Sequence, residues 1–180
     1  MRRVAGALFA AALSLCGCDN DAAILEEVSR IEKERVARHA QLAAQSPAWL
    51  AEKRGHAGAV TTASGLVYEV LRAPPDPSLP TPTRASRVLI DYEGRLPDGT
   101  VFDSSLGRGG AQFDVAALVP GVAEMLTLMR PGEEVVAYIP AALAYGAEGA
   151  GEDVPPHVAL EFRIRLIAFE RDEGSMAVTQ

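Results

Sequence analysis

Beyond residue 18 the chain has no cysteine, and the two it contains, Cys16 and Cys18, both fall in that opening stretch. The remainder can form neither a disulfide nor a thiolate nucleophile. Histidine is almost as scarce: His39, His56 and His157 are scattered, and no zinc-ligand spacing, nucleophile elbow, phosphate loop or dinucleotide-binding glycine pattern is present. Covalent, metal-assisted and cofactor-dependent chemistry are therefore not expected, and no cofactor and no metal are assigned. Basic residues are outnumbered, 17 against 24 acidic, giving a net charge of −7 that becomes two units more negative without Arg2 and Arg3. Nothing in that balance points to nucleic acid or to a polybasic membrane patch. Long hydrophobic runs are missing too, since the apolar stretch over residues 4–15 is too short to span a bilayer comfortably.

What is present begins with that short apolar run. It follows Arg2-Arg3 and ends in Leu15-Cys16-Gly17-Cys18, which reads as an export signal over residues 1–17. The ending resembles a bacterial lipobox, with small Gly17 before the cleaved bond and Cys18 as the lipid-bearing residue; an ordinary cleaved signal with an incidental cysteine is the plainer alternative. Stable anchoring needs more than one acyl chain, which a diacylated cysteine supplies.

Residues 18–58 read as the lipidated start and a helical spacer. Helix formers dominate residues 21–55, with Glu26→Arg30 and Glu34→Arg38 four apart, and Gly55 ends the run. Ser46-Pro47 predicts an interruption, Ser46 capping a second short helix. Ile24, Val28 and Ile31 start an apolar stripe that Arg35 and Arg38 break before Leu42, so a long coiled coil is not supported. A solvated spacer and a weak homodimer contact through residues 21–55 both remain open. Trp49 and Leu50 are expected to pack against the following domain.

Residues 59–170 carry strand patterns, and residues 171–180 read as a polar, frayed tail. A first strand is predicted over residues 66–71, followed by five prolines in the eleven residues 73–83, a stiff extended loop. Residues 87–95 form a strand with Val88, Ile90 and Tyr92 on one face, and Leu96-Pro97-Asp98-Gly99 turns the chain into Val101-Phe102. A glycine-rich loop over residues 107–111 leads to a short strand at Phe113. Pro120-Gly121 opens a helix of about nine residues, 122–130, closed by Pro131-Gly132. Val135, Ala137 and Ile139 then alternate with Val136 and Tyr138. In the last strand Leu160, Phe162, Ile164 and Leu166 face inward and Glu161, Arg163 and Arg165 outward. About five antiparallel strands and one short helix make an α+β domain.

Several motifs recur in the order of one known family: Tyr92-Glu93-Gly94, Asp98-Gly99-Thr100-Val101-Phe102-Asp103-Ser104-Ser105, Leu118-Val119-Pro120-Gly121, Tyr138-Ile139-Pro140, Leu143-Ala144-Tyr145-Gly146 and Pro155-Pro156. They resemble the FK506-binding-protein (FKBP) class of peptidyl-prolyl isomerases, and residues 60–71 resemble the linker strand of its bacterial Mip/FkpA-type members. The resemblance covers roughly residues 47–169. It implies a half-barrel sheet wrapped on one short helix and an isomerase of Xaa-Pro bonds acting on proline-containing polypeptides without covalent chemistry. It also implies possible binding of FK506 or rapamycin. Tyr92, Phe102, Asp103 and Tyr145 would be the catalytic residues, and Leu118, Val119, Val122, Val154 and Phe162 the substrate-binding ones. The Val119 N–H and the Tyr145 hydroxyl would bond substrate carbonyls, while Asp103, held by Tyr92 and Arg108, would act electrostatically. Where the family usually places a tryptophan on the pocket floor this chain has Val122, and the loop over residues 108–113 is one residue shorter than usual. A catalytically weak chaperone or assembly factor of the same fold is the alternative. The expected setting is a bacterial cell envelope, with a membrane-anchored lipoprotein facing the periplasm.

Overall fold

The computed structural model describes residues 18–170 and 176–178, with side chains from residue 23 to residue 170. The expected signal segment and the lipidation expected at Cys18 lie outside what is described.

A 37-residue helix, α1 (Cys18–Arg54), opens the structure. The chain divides into two units, residues 1–37 and 38–180. In the first, Ile24, Leu25, Val28, Ile31 and Val36 are exposed, and Arg30 pairs with Glu27 and Glu34. In the second, Leu42, Ser46 and Leu50 are buried.

The predicted break at Ser46-Pro47 does not occur, and Pro47 lies inside α1. A proline in a helix interior costs about 3 kcal/mol, and the burial of Leu42 and Leu50 on either side opposes that cost. Ser46 is not a cap. Its hydroxyl donates to the Leu42 carbonyl at 2.9 Å and accepts the Ala159 N–H at 3.0 Å. Arg38 likewise reaches past its helical neighbour Glu34. Its Nε donates to Asp98 at 2.9 Å, and Nη2 reaches Asp98 and Thr100 Oγ1.

Eight strands follow: β1 (Val60–Thr61), β2 (Val67–Arg72), β3 (Arg87–Arg95), β4 (Val101–Ser104), β5 (Ala111–Asp114), β6 (Glu134–Ile139), β7 (Leu160–Glu170) and β8 (Met176–Val178). All pairings are antiparallel, in the order β1-β2-β6-β7-β3-β4, with β5 added to β3 and β8 to β7. The excess over the expected five comes from pieces of two to four residues, and β8 places part of the expected frayed tail in the sheet. The proline-rich segment carries no strand.

Helix α2 (Pro120–Leu128) starts and ends two residues earlier than predicted, with Pro120 in its first turn, where a missing N–H costs nothing. Gly121 lets it approach β6, since a Cβ there would stand 2.4 Å from Ile139 Cγ2. Val122, Met125, Leu126 and Met129 join Val135, Ala137, Ile139, Ile164 and Leu166 in the main core. The alternation read in β6 is present, although all six of its residues are buried. Val136 and Tyr138 turn away from the main core into a second cluster with Val67, Ala159, Leu50 and Trp49, so both faces of β6 are covered.

Candidate active site

One edge of β3 pairs with β7, while the other is served by two strands in succession, β5 along Arg87–Ile90 and β4 along Glu93–Arg95. The twofold side-chain period puts Ile90 and Tyr92 on the face that α2 covers. There they and Phe162 and Ile164 from β7 wall a cavity of about 210 Å³. Phe113 of β5 and the Ala117-Leu118-Val119 segment form its second side. Val122, in the first turn of α2, and Tyr145 complete it, and Asp103 at the end of β4 is its one charged residue.

The rings meet edge to face. Tyr92 lies 5.7 Å from Phe113 at 68° and Phe102 lies 5.6 Å from Phe162 at 85°, the geometry aromatic quadrupoles favour. Asp103 is held from three sides: Tyr92 Oη donates to its Oδ2 at 2.6 Å, the Ser104 N–H to its Oδ1 at 2.8 Å, and Arg108 Nη2 stands 3.9 Å from Oδ1. Partial burial, and then the bond to Asp103, push the Tyr92 phenol up to about 12. Burial and the nearby Asp103 charge also raise Tyr145. Both phenols are thus kept as neutral hydrogen-bond donors.

Val119 is the extended residue before α2. Its carbonyl accepts the Ala123 N–H at 3.0 Å, and its own N–H has no partner among the described residues. Tyr145 is held by its loop. The Gly149 N–H donates to the Tyr145 carbonyl, and the His157 N–H closes on Gly146 O at 2.7 Å. Gly149 has φ +70°, and a Cβ there would lie 2.4 Å from Val154 O.

Seven of the nine expected site residues therefore share one cavity: Tyr92, Asp103, Leu118, Val119, Val122, Tyr145 and Phe162. Phe102 and Val154 are set apart from its wall. The Phe102 ring stands edge-on to Phe162 and over Gly94, where a Cβ would lie 2.5 Å from it. Val154 is buried, and its backbone pairs with Ala150 to close the loop after Tyr145. Sequence reasoning missed four wall residues, Ile90, Phe113, Ala117 and Ile164. Ile90 was legible in its alternation with Tyr92, and Ile164 in its alternation with Phe162. Ala117 carries no such signal.

Among the described residues no group of three His, Cys, Asp or Glu is placed to hold a metal ion. The cavity offers apolar walls, two phenols, one unpaired N–H and one carboxyl group. It holds no cysteine, serine or lysine to act as a nucleophile.

Comparisons with known proteins point to one family. Residues 80–167 match the family described as FKBP-type peptidyl-prolyl cis-trans isomerase, and residues 18–70 match the domain amino terminal to it. The FKBP-type 22 kDa peptidyl-prolyl cis-trans isomerase of Escherichia coli is 39% identical over 146 residues, 81% of this chain and 69% of that protein. The probable FKBP-type isomerase FkpA of Neisseria meningitidis is 39% identical over 131 residues, 72% of this chain, and the match spans only 47% of the relative's length. A crystal structure of a peptidyl-prolyl cis-trans isomerase from Pseudomonas syringae superposes with a TM-score of 0.66 at 33% identity, over 73% of this chain and 95% of that one.

Proposed function

This chain belongs to the FKBP-type peptidyl-prolyl cis-trans isomerase family, and from that premise we propose that its cavity receives the proline ring of an Xaa-Pro segment and speeds rotation about the preceding bond. The barrier to that rotation, about 18–20 kcal/mol, comes from amide resonance, which the planar bond has and the twisted one lacks. A wall of Tyr92, Phe113, Phe162 and Val122 strips water from the bond and so favours the less polar, twisted state. The Tyr145 hydroxyl and the Val119 N–H hold flanking carbonyls. Asp103, fixed by Tyr92, faces the turning carbonyl and acts through its charge. Leu118 edges the opening, while Phe102 packs edge-on against Phe162 and Val154 closes the loop after Tyr145. The observation that carries this reading is the Tyr92–Asp103 bond in the wall of a largely apolar cavity.

The test is exchange spectroscopy on short Xaa-Pro peptides with the purified chain as catalyst. Faster cis-trans exchange that rapamycin abolishes is the expected result. Peptide line broadening without faster exchange would overturn it in favour of a chaperone that only holds proline-containing segments. Val122 favours that second reading, because a small aliphatic side chain gives the cavity less aromatic surface.

The isomerase domain in this reading is residues 59–170, preceded by a signal over residues 1–17 and a lipid on Cys18 that anchors a helical spacer to a bacterial envelope membrane, facing the periplasm. Leu15-Cys16-Gly17-Cys18 supports the anchor. A Cys18→Ser protein that still fractionates with membranes would rule it out. Exposed Ile24, Val28 and Ile31 support pairing of two spacers.

A further inference from the structure

Tyr92 sits at a gap in the sheet. The edge of β3 is paired with β5 as far as Ile90 and with β4 from Glu93 onward, so at Tyr92 no strand offers ladder bonds on that side. Ser105, one residue past the end of β4, supplies them instead. Its N–H donates to the Tyr92 carbonyl at 2.9 Å, and its Oγ accepts the Tyr92 N–H at 2.9 Å. The hydroxyl stands where a ladder carbonyl would be, and the Ser104 Oγ adds a longer bond of 3.3 Å to the same Tyr92 carbonyl. Ser105 is 1% exposed, one of few buried polar side chains in the described residues. Two residues before it, Asp103 accepts the Tyr92 phenol at 2.6 Å. One short segment thus grips Tyr92 at both ends, the main chain through Ser105 and the ring tip through Asp103.

We infer that Ser105 is a positioning residue of the cleft, clamping the Tyr92 main chain in the gap between β4 and β5 so that the phenol stays on Asp103 and both stay at the cavity wall. A buried hydroxyl with such a partner is kept for that bond, because an alanine there would leave the Tyr92 N–H with nothing to donate to. The catalytic consequence rests on the isomerase reading of the cavity. The structural one does not.

The test follows the tyrosine phenols of the full chain by NMR, with Tyr92 assigned through Tyr92→Phe and Tyr138, in the cluster on the other face of the sheet, as an internal control of folding. In Ser105→Ala the Tyr92 hydroxyl proton, held on Asp103, should exchange with water at least threefold faster while the Tyr138 ring signals do not move, and the exchange-catalysis kcat should fall about tenfold with KM little changed. Ser105→Thr, which keeps the hydroxyl, should restore both. An unchanged Tyr92 hydroxyl exchange rate in folded Ser105→Ala would overturn the inference. Should Ser105→Ala not fold, amide hydrogen exchange of the unmodified chain decides: a Tyr92 N–H protected like its neighbours in β3 supports the clamp, and one that exchanges like a loop amide overturns it. If the unmodified chain catalyses no exchange, the isomerase reading fails by itself, and the Tyr92 hydroxyl exchange and amide protection still decide the role of Ser105.

Discussion

Two aromatic clusters occupy opposite faces of the same sheet, and they differ in what lies at their centres. On one face Trp49 stands edge-on to Tyr138 at 5.4 Å, with Lys53 Nζ 5.6 and 5.5 Å from the two rings and His56 bonded to Glu69 beside them. On the other, Tyr92 meets Phe113 and Phe102 meets Phe162 at similar distances and angles, yet Tyr92, Phe113 and Phe162 share with Tyr145 the wall of a cavity of about 210 Å³. Ring packing is common to both and distinguishes nothing. The first cluster is closed by a long cationic side chain lying over its rings. The second is left open where the rings face the short side chains of Ala117, Leu118, Val119 and Val122. Incomplete packing is costly in a core, and here it coincides with the one carboxyl group and the two phenols that a bound peptide would meet.

Substitutions can break this contrast or sharpen it. Phe162 belongs both to the cavity wall and to the core, so Phe162→Ala should cost about 3–5 kcal/mol, read as a lower denaturant midpoint, and should abolish exchange catalysis. Retention of catalysis would show that the wall is not the working surface. Trp49→Ala strikes only the filled cluster. It should cost about 2 kcal/mol through lost ring contact and the Lys53 interaction, with kcat/KM of the folded protein unchanged; a parallel loss of catalysis would mean that the faces are coupled. Tyr145→Phe is the mirror experiment. It should lower kcat/KM about tenfold, equivalent to about 1.4 kcal/mol of transition-state stabilisation, and leave the unfolding midpoint within a few tenths of a kcal/mol of the parent.

What could be read from the sequence follows the range of the forces involved. Strand β7 was legible because one of its faces is buried and the other wet, so Leu160, Phe162, Ile164 and Leu166 alternate with Glu161, Arg163 and Arg165. In strand β6 the alternation was legible but the burial of Val136 and Tyr138 was not, because the residues that cover them, Trp49 and Leu50, are distant in sequence. Ser46-Pro47 carries a sound local signal for a break, and it is overridden by a bond from Ala159, 113 residues away. At the site, the motif residues Tyr92, Asp103 and Tyr145 announced themselves. The seat of the Phe102 ring over Gly94 needs that residue to lack a Cβ, a close approach that no spacing in the sequence states.

The same contrast of local and distant partners yields the smallest effect. By spacing Arg38 should pair with Glu34, yet its guanidinium holds Asp98 and Thr100 in the β3–β4 turn, 60 residues away in sequence, and so braces the hairpin that ends in Asp103. Burial alone would raise the Asp98 carboxyl, but the Arg38 bond and the bonds from Thr100 outweigh it and hold the group below the usual carboxylate range. A depressed folded value means that the stabilisation is present above the unfolded value of about 3.9 and is lost as pH falls through the folded one. Arg38→Ala should therefore lower stability by about 0.5 kcal/mol at neutral pH, the size of a partly exposed pair. The difference from the parent should shrink as the pH is taken below 4, measured by denaturant titration at each pH. A difference that persists in acid would assign the effect to helix packing rather than to the ion pair. A loss of exchange catalysis larger than the loss of stability would show that the brace reaches Asp103.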